Sequence, residues 1–102
     1  MQEVRLRRTL RVIGMGTVAA TYTLMPEDTD FDFDSLLTEL PGIVSVKIKV
    51  AKADILPMAF GLRKLEAVFV MEDAEGLIDK LEETLRAIPG IQNVVTEQIT
   101  LL

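Results

Sequence analysis

Leu37-Thr38-Glu39-Leu40-Pro41-Gly42-Ile43-Val44-Ser45-Val46 returns 48 positions later as Leu85-Arg86-Ala87-Ile88-Pro89-Gly90-Ile91-Gln92-Asn93-Val94. Both copies follow the pattern L-x-x-[LI]-P-G-I-x-x-V. The apolar spacing ahead of each proline is helical, and the spacing after each glycine is that of a strand. Proline cannot donate the next helical hydrogen bond and glycine permits the turn, so each pair reads as a helix stop and a strand start.

Outward from the repeat the chain falls into matching pieces. Residues 17–25 alternate Val18, Ala20, Tyr22 and Leu24 with Thr17, Ala19, Thr21 and Thr23, a half-buried strand. Pro26-Glu27-Asp28-Thr29-Asp30 ends it as an acidic loop. A short helix follows, with Phe33, Leu36, Leu37 and Leu40 on one stripe and Asp30 or Asp32 as N-cap. Pro41-Gly42 is expected to stop it. Residues 43–53 return to period two, and their lysines, Lys47 and Lys49, suit a solvated face or a guarded edge. Residues 62–71 form a third strand, most apolar at its far end and therefore central. A second helix is expected over 74–88, with Leu77, Ile78, Leu81, Leu85 and Ile88 as its buried stripe and Glu82 paired to Arg86 four residues on. Pro89-Gly90 ends it, and residues 91–101 make the last strand.

The order is therefore β-α-β twice. Neither half can cover its own apolar faces, so both helices must pack on one side of a shared four-stranded antiparallel sheet. This is the α+β, ferredoxin-like split βαβ arrangement, βαββαβ, in which right-handed crossovers make the first and third strands the central pair.

Composition narrows the chemistry. The chain has 102 residues, enough for a single modest core. Hydrophobic residues make up 49% and the mean hydropathy is +0.31, which argues for an ordered globule. Without cysteine or histidine there can be no disulfide, no usual zinc site and no imidazole- or thiolate-based nucleophile pair. No nucleophile and base constellation can be written, so an enzyme is the least favoured class. The acidic residues Glu27, Asp28, Asp30, Asp32 and Asp34, then Glu72, Asp73 and Glu75, lack EF-hand spacing. Near helix N-termini they read as caps and dipole partners, so no metal and no cofactor is expected. The net charge of −5 opposes a phosphate-binding surface. No apolar run is long enough to span a bilayer and there is no signal-peptide segment, which makes a cytoplasmic protein without a membrane partner the expectation.

Residues 1–14 stand apart. Arg5, Arg7, Arg8 and Arg11 against Glu3 give them +3, leaving −8 for residues 15–102 (−5 minus 3). The segment reads either as a basic arm that touches RNA or the ribosome, or as an upstream extension or a misplaced start, and it is expected to be the least ordered part.

One stretch remains, Leu56-Pro57-Met58-Ala59-Phe60-Gly61-Leu62-Arg63-Lys64-Leu65. Pro57 fixes φ and Gly61 permits φ > 0, which suits a shaped connection between two strands. Phe60 is then a large ring on a loop, either folded back on the core or held out for a partner. Together with Val68-Phe69-Val70-Met71-Glu72-Asp73, this stretch resembles the P-x-[AG]-[FY]-G-[LI]-x-x-L…ED signature of the translation elongation factor 1-beta family. The similarity runs from about Met15 to the C-terminus, and Met15-Gly16-Thr17 resembles the usual family beginning; the short form is like that of the archaeal members.

The resemblance implies a guanine-nucleotide exchange domain over 15–102, acting on the GTPase elongation factor 1-alpha. It places Phe60 where the family sets an aromatic ring against its partner, and Arg63 and Lys64 on the family's basic pair. Met58, Gly61 and Leu62 complete the expected partner-binding set. Arg63 and Lys64 also read simply as solvated strand ends. Eukaryotic relatives carry a lysine one residue from the end, where this chain has Leu101, so a push spread over Phe60 and the sheet end would have to replace it. An alternative is a small-ligand-sensing or oligomerising ferredoxin-like module, against which the lysine-bearing edge argues mildly. RNA binding on the open sheet face lacks the stacked aromatics such sheets use, so no direct nucleic-acid contact and a monomer when free are expected.

Overall fold

Alternating threonine and apolar side chains, bounded by Pro26, build the first strand of the sheet. The structure, a computed structural model, describes residues 16–102; the basic segment 1–14 lies outside them. The element order is β1 (Thr17–Pro26), α1 (Phe33–Ile43), β2 (Ile48–Pro57), β3 (Arg63–Glu72), α2 (Leu77–Arg86) and β4 (Ile91–Leu101), with a single 3₁₀ turn at Ala59–Gly61. The strands form one sheet in the order β2-β3-β1-β4, antiparallel throughout. The ferredoxin-like α+β topology expected from the repeat is the one observed, with β1 and β3 in the centre.

Register decides which side chains meet the helices. Val18 faces Met71, Ala20 faces Phe69, Tyr22 faces Ala67 and Leu24 faces Leu65 across the central pair, and all of these are buried. Phe33, Leu36 and Leu40 from α1 and Leu81 and Leu85 from α2 close over them into one apolar cluster. The Tyr22 and Phe69 rings meet at 6.1 Å between centroids, tilted by 60°, within the range favoured for aromatic pairs. The opposite sheet face, with Ala19, Thr21, Val68 and Val70, is only partly covered.

The two Pro-Gly copies do different things, which corrects the expectation that both stop a helix. Pro41 lies inside α1, which continues to Ile43. The missing proline N–H costs one backbone bond, and the helix closes beyond it with the Val44 N–H donating to the Leu40 carbonyl at 3.3 Å. The residues from Ser45 to Lys47 then turn, so β2 begins at Ile48 rather than at 43. Val46, within that turn, is fully exposed. At the far end β2 runs on to Pro57, because an edge strand can spare the N–H that proline lacks. In the second copy α2 ends at Arg86 and Gly90 takes φ 87°. The carbonyl of Gly90 accepts from the Glu27 N–H at 2.9 Å, which fixes that turn against the β1–α1 loop.

The other boundaries move less. Asp32 is the N-cap of α1, accepting from the Ser35 N–H at 3.0 Å and from its hydroxyl at 2.8 Å. α2 begins at Leu77, three residues later than expected, because Gly76 sits left-handed at φ 84° ahead of it. The Glu82 to Arg86 pair forms at 3.5 Å. Among the described residues no helix is long and apolar enough to cross a membrane.

Candidate functional site

The strand directions bring three connections to one end of the sheet: the acidic loop after β1, the β2–β3 hairpin and the α2–β4 turn. Pro57 pairs with Arg63 as the last rung of the hairpin. Beyond it the Met58 N–H donates to the Leu62 carbonyl at 2.8 Å, and the Leu62 N–H donates to Ala59 at 3.3 Å. The connection is therefore five residues long, tied at its base, with the 3₁₀ turn at its tip.

Phe60 occupies that tip. Its backbone is left-handed, φ 62° and ψ 31°, and it is the one residue other than glycine with positive φ among the described residues. Gly61 follows at φ 77°, so two successive left-handed residues turn the chain. An aromatic residue pays about 1–2 kcal/mol for this conformation. The ring gains no core contact in return, since Phe60 is 96% exposed. Of the two readings of Phe60, the structure has the ring held out.

Adjacent in sequence, Arg63 and Lys64 are separated in space. Successive strand residues point to opposite faces, and Arg63 lies on the helix side. Its guanidinium carbon sits 5.7 Å from the centroid of the Phe33 ring, and Nη2 donates to the Phe31 carbonyl at 3.4 Å. Phe31 in turn meets Phe33 edge-on at 4.8 Å between centroids. Arg63 thus fastens the root of the hairpin to the β1–α1 loop through a cation–π contact. Lys64 faces the open side, opposite Leu56. Strand parity alone was enough to separate the two cations. The roles of Phe31 and Phe33 as an anchor carried no signal beyond their aromatic character.

Leu101 lies at the other end of the sheet, paired with Val18, while Leu102 donates its N–H to the Thr17 carbonyl at 2.7 Å. Eight strand steps separate the level of Arg63 from that of Met71, about 26 Å at the usual rise. The sheet end that Phe60 shares is formed instead by the acidic loop and the turn at Gly90. Among the described residues no group of three or more carboxylates is placed to hold a metal ion.

Charge and burial elsewhere serve the fold. The Tyr22 hydroxyl donates to Glu82 Oε2 at 2.9 Å, and burial, then that carboxylate bond, raise the phenol well above its ordinary value. Asp32 is held below the usual carboxylate range by the Ser35 backbone bond and then by the Ser35 hydroxyl. Thr23, buried on the open side, donates to Glu97 Oε2 at 2.8 Å. Of the five aromatic residues in the chain, Tyr22, Phe33 and Phe69 are buried and Phe31 packs against the core, which leaves Phe60 alone outside.

Comparison with known proteins bears on this geometry. The profile of the EF-1 guanine nucleotide exchange domain matches residues 19–102. Among curated relatives, elongation factor 1-beta of Methanococcoides burtonii is 40% identical over 81% of this chain and 94% of its own length. That of Methanothermobacter thermautotrophicus is 39% identical over 78% of this chain and 90% of its own. That of Archaeoglobus fulgidus is 33% identical over 86% of this chain and the whole of its own.

Proposed function

Because the chain belongs to the EF-1 guanine nucleotide exchange domain family, and so to the translation elongation factors, we propose that it promotes exchange of GDP for GTP on elongation factor 1-alpha. It does so by stabilising the nucleotide-free GTPase, without covalent chemistry, as a cytoplasmic protein that is monomeric when free and needs no nucleic acid. An exchange factor binds the empty GTPase more tightly than the loaded one, and by linkage nucleotide and factor weaken each other's binding equally.

The observation that carries this reading is the strained, outward ring of Phe60. A tied five-residue loop holds the ring before any partner arrives, so little ordering entropy opposes its insertion. A thousandfold acceleration of release requires lowering a barrier by about 4 kcal/mol, and burying one phenylalanine contributes about 1.5–3 kcal/mol. Phe60 is a wedge at a switch element near the bound phosphates, and its neighbours supply the remainder. Met58 and Leu62 add apolar contact, Gly61 lets the loop turn, and Lys64 faces the partner as a charge. Arg63 contributes by holding the hairpin root. All five aromatics being accounted for off the open sheet face supports a protein partner over RNA.

The test is release of fluorescently labelled GDP from elongation factor 1-alpha with and without the purified protein. Acceleration supports the reading. Release at the spontaneous rate, with the protein folded, removes it.

A further inference from the structure

The end of the β2–β3 hairpin reaches past its neighbour in the sheet. β1 is paired with β3 only as far as Leu24 opposite Leu65, and from there to Pro26 it stays with β4 alone. β2 and β3 continue together through Leu56 opposite Lys64 and Pro57 opposite Arg63. Phe60 therefore stands on a two-stranded ribbon, which twists more strongly and is less stable by itself than a wider sheet. None of Leu56, Pro57, Met58, Ala59, Phe60 and Leu62 belongs to the apolar cluster or packs against it. The bonds from Met58 to Leu62 and from Leu62 to Ala59 fix the shape of the loop but not its angle to the body.

Arg63 braces that angle. Among the described residues it makes the one side-chain hydrogen bond from residues 56–64 to another element, and its guanidinium also lies against the Phe33 ring. Phe33 is buried within α1, so that half of the seat is fixed by the helix. The other half, the Phe31 carbonyl, lies on the β1–α1 loop and depends on what holds Phe31. Asp32, next in the chain, caps α1. Upstream, the Glu27 N–H donates to the Gly90 carbonyl at 2.9 Å. Between these ties the Phe31 ring meets Phe33 edge-on and lies over Gly90, in the room that the absence of a side chain leaves there.

We infer that Phe31 is a positioning residue for nucleotide exchange, seating Arg63 so that the overhanging hairpin holds Phe60 at one angle before the GTPase arrives. The inference rests on the exchange reading given above, and Phe31 acts through Arg63 rather than by touching the partner. A ring already held at its working angle loses little freedom on insertion, whereas a small misplacement of a working group lowers a rate steeply. Gly90 has a part in the same device, since a side chain there would push the Phe31 ring off its seat.

Amide relaxation of the full-length protein reads the hairpin without any GTPase. Order parameters of Ala59, Phe60 and Gly61 are expected near about 0.85 in the parent and below about 0.6 in Phe31→Ala, with Val70 and Thr100 unchanged. Phe31→Tyr, which keeps the ring, should restore the order. Should Phe31→Ala fail to fold, Phe31→Leu, which keeps apolar bulk without the edge-on contact, takes its place in every measurement. A double-mutant cycle then reads the coupling to Phe60. Phe31→Ala is expected to lower assisted GDP release about fivefold in the parent but less than about twofold in the Phe60→Ala background, where the ring it positions is gone. A merely structural loss would lower both alike, and that result overturns the inference. So do unchanged order parameters in Phe31→Ala beside a parent that accelerates release, which would remove Phe31 and leave the exchange reading standing. A parent that leaves GDP release at its spontaneous rate overturns the exchange reading and the role of Phe31 in it together.

Discussion

The ring of Phe31 fills the space that a Cβ on Gly90 would need, with two ring carbons 2.7 Å from that position. Gly90 is also left-handed at φ 87°. The equivalent glycine of the first copy, Gly42, has nothing within 4 Å of a Cβ and lies inside α1. Gly90→Ala should therefore cost at least about 2 kcal/mol, from left-handed strain and overpacking together. Gly42→Ala should be neutral or stabilise by up to about 0.5–1 kcal/mol. Chemical denaturation of the two variants checks the contrast.

Phe60 offers a separation of stability from function. Phe60→Ala is expected to lower assisted GDP release at least tenfold with the fold intact, corresponding to about 1.4 kcal/mol or more. Phe60→Gly relieves about 1–2 kcal/mol of strain and adds about 0.5–1 kcal/mol of unfolded-chain entropy. Its melting temperature should equal or exceed that of the parent while its exchange activity falls as far as that of the alanine variant. A glycine variant with full activity would take the ring out of the mechanism.

Arg63 and Lys64, adjacent in sequence, should respond differently. Arg63→Ala loses the Phe33 contact and the bond to the Phe31 carbonyl, a cost of about 1–2 kcal/mol. Arg63→Lys should recover little of it, because an ammonium does not stack as a guanidinium does. Lys64→Ala should leave the denaturation midpoint within about 0.5 kcal/mol of the parent and act, if at all, on partner association and its salt dependence.

Two groups are expected to make the stability of the fold depend on pH. Tyr22 is the only tyrosine and its phenol is raised in the folded state. Its contribution is complete below the unfolded value near 10 and is lost as pH climbs above that value. Phenolate absorbance should therefore appear together with loss of far-ultraviolet dichroism. Asp32 is depressed when folded, so its contribution is complete above the ordinary value near 3.9 and disappears as pH falls through the folded value. Asp32→Asn, which keeps a capping oxygen, should flatten the acid limb of the stability profile.

The repeat made the topology legible, because a duplicated βαβ unit with two short helices has few ways to bury both halves. Phe60 was legible as a candidate from the proline and glycine around it, though not its direction; exposure depends on a loop tied at Met58 and Leu62, which no local pattern encodes. The unequal Pro-Gly pairs were illegible for a related reason. Gly90 is set by Phe31 and Glu27, some 60 residues away, while Gly42 has no such neighbour and stays helical. The Arg63 anchor likewise depends on a loop 32 residues earlier in the chain.

The pairing of Leu101 with Val18 and the Leu102 bond to Thr17 leave the two tips of the sheet free to be handled separately. A surface tether or an affinity tag fused after Leu102 would project away from the hairpin. Immobilised in that way, the protein would offer its ring to a passing GTPase unobstructed, whereas a graft into the hairpin would destroy the very feature it was meant to display.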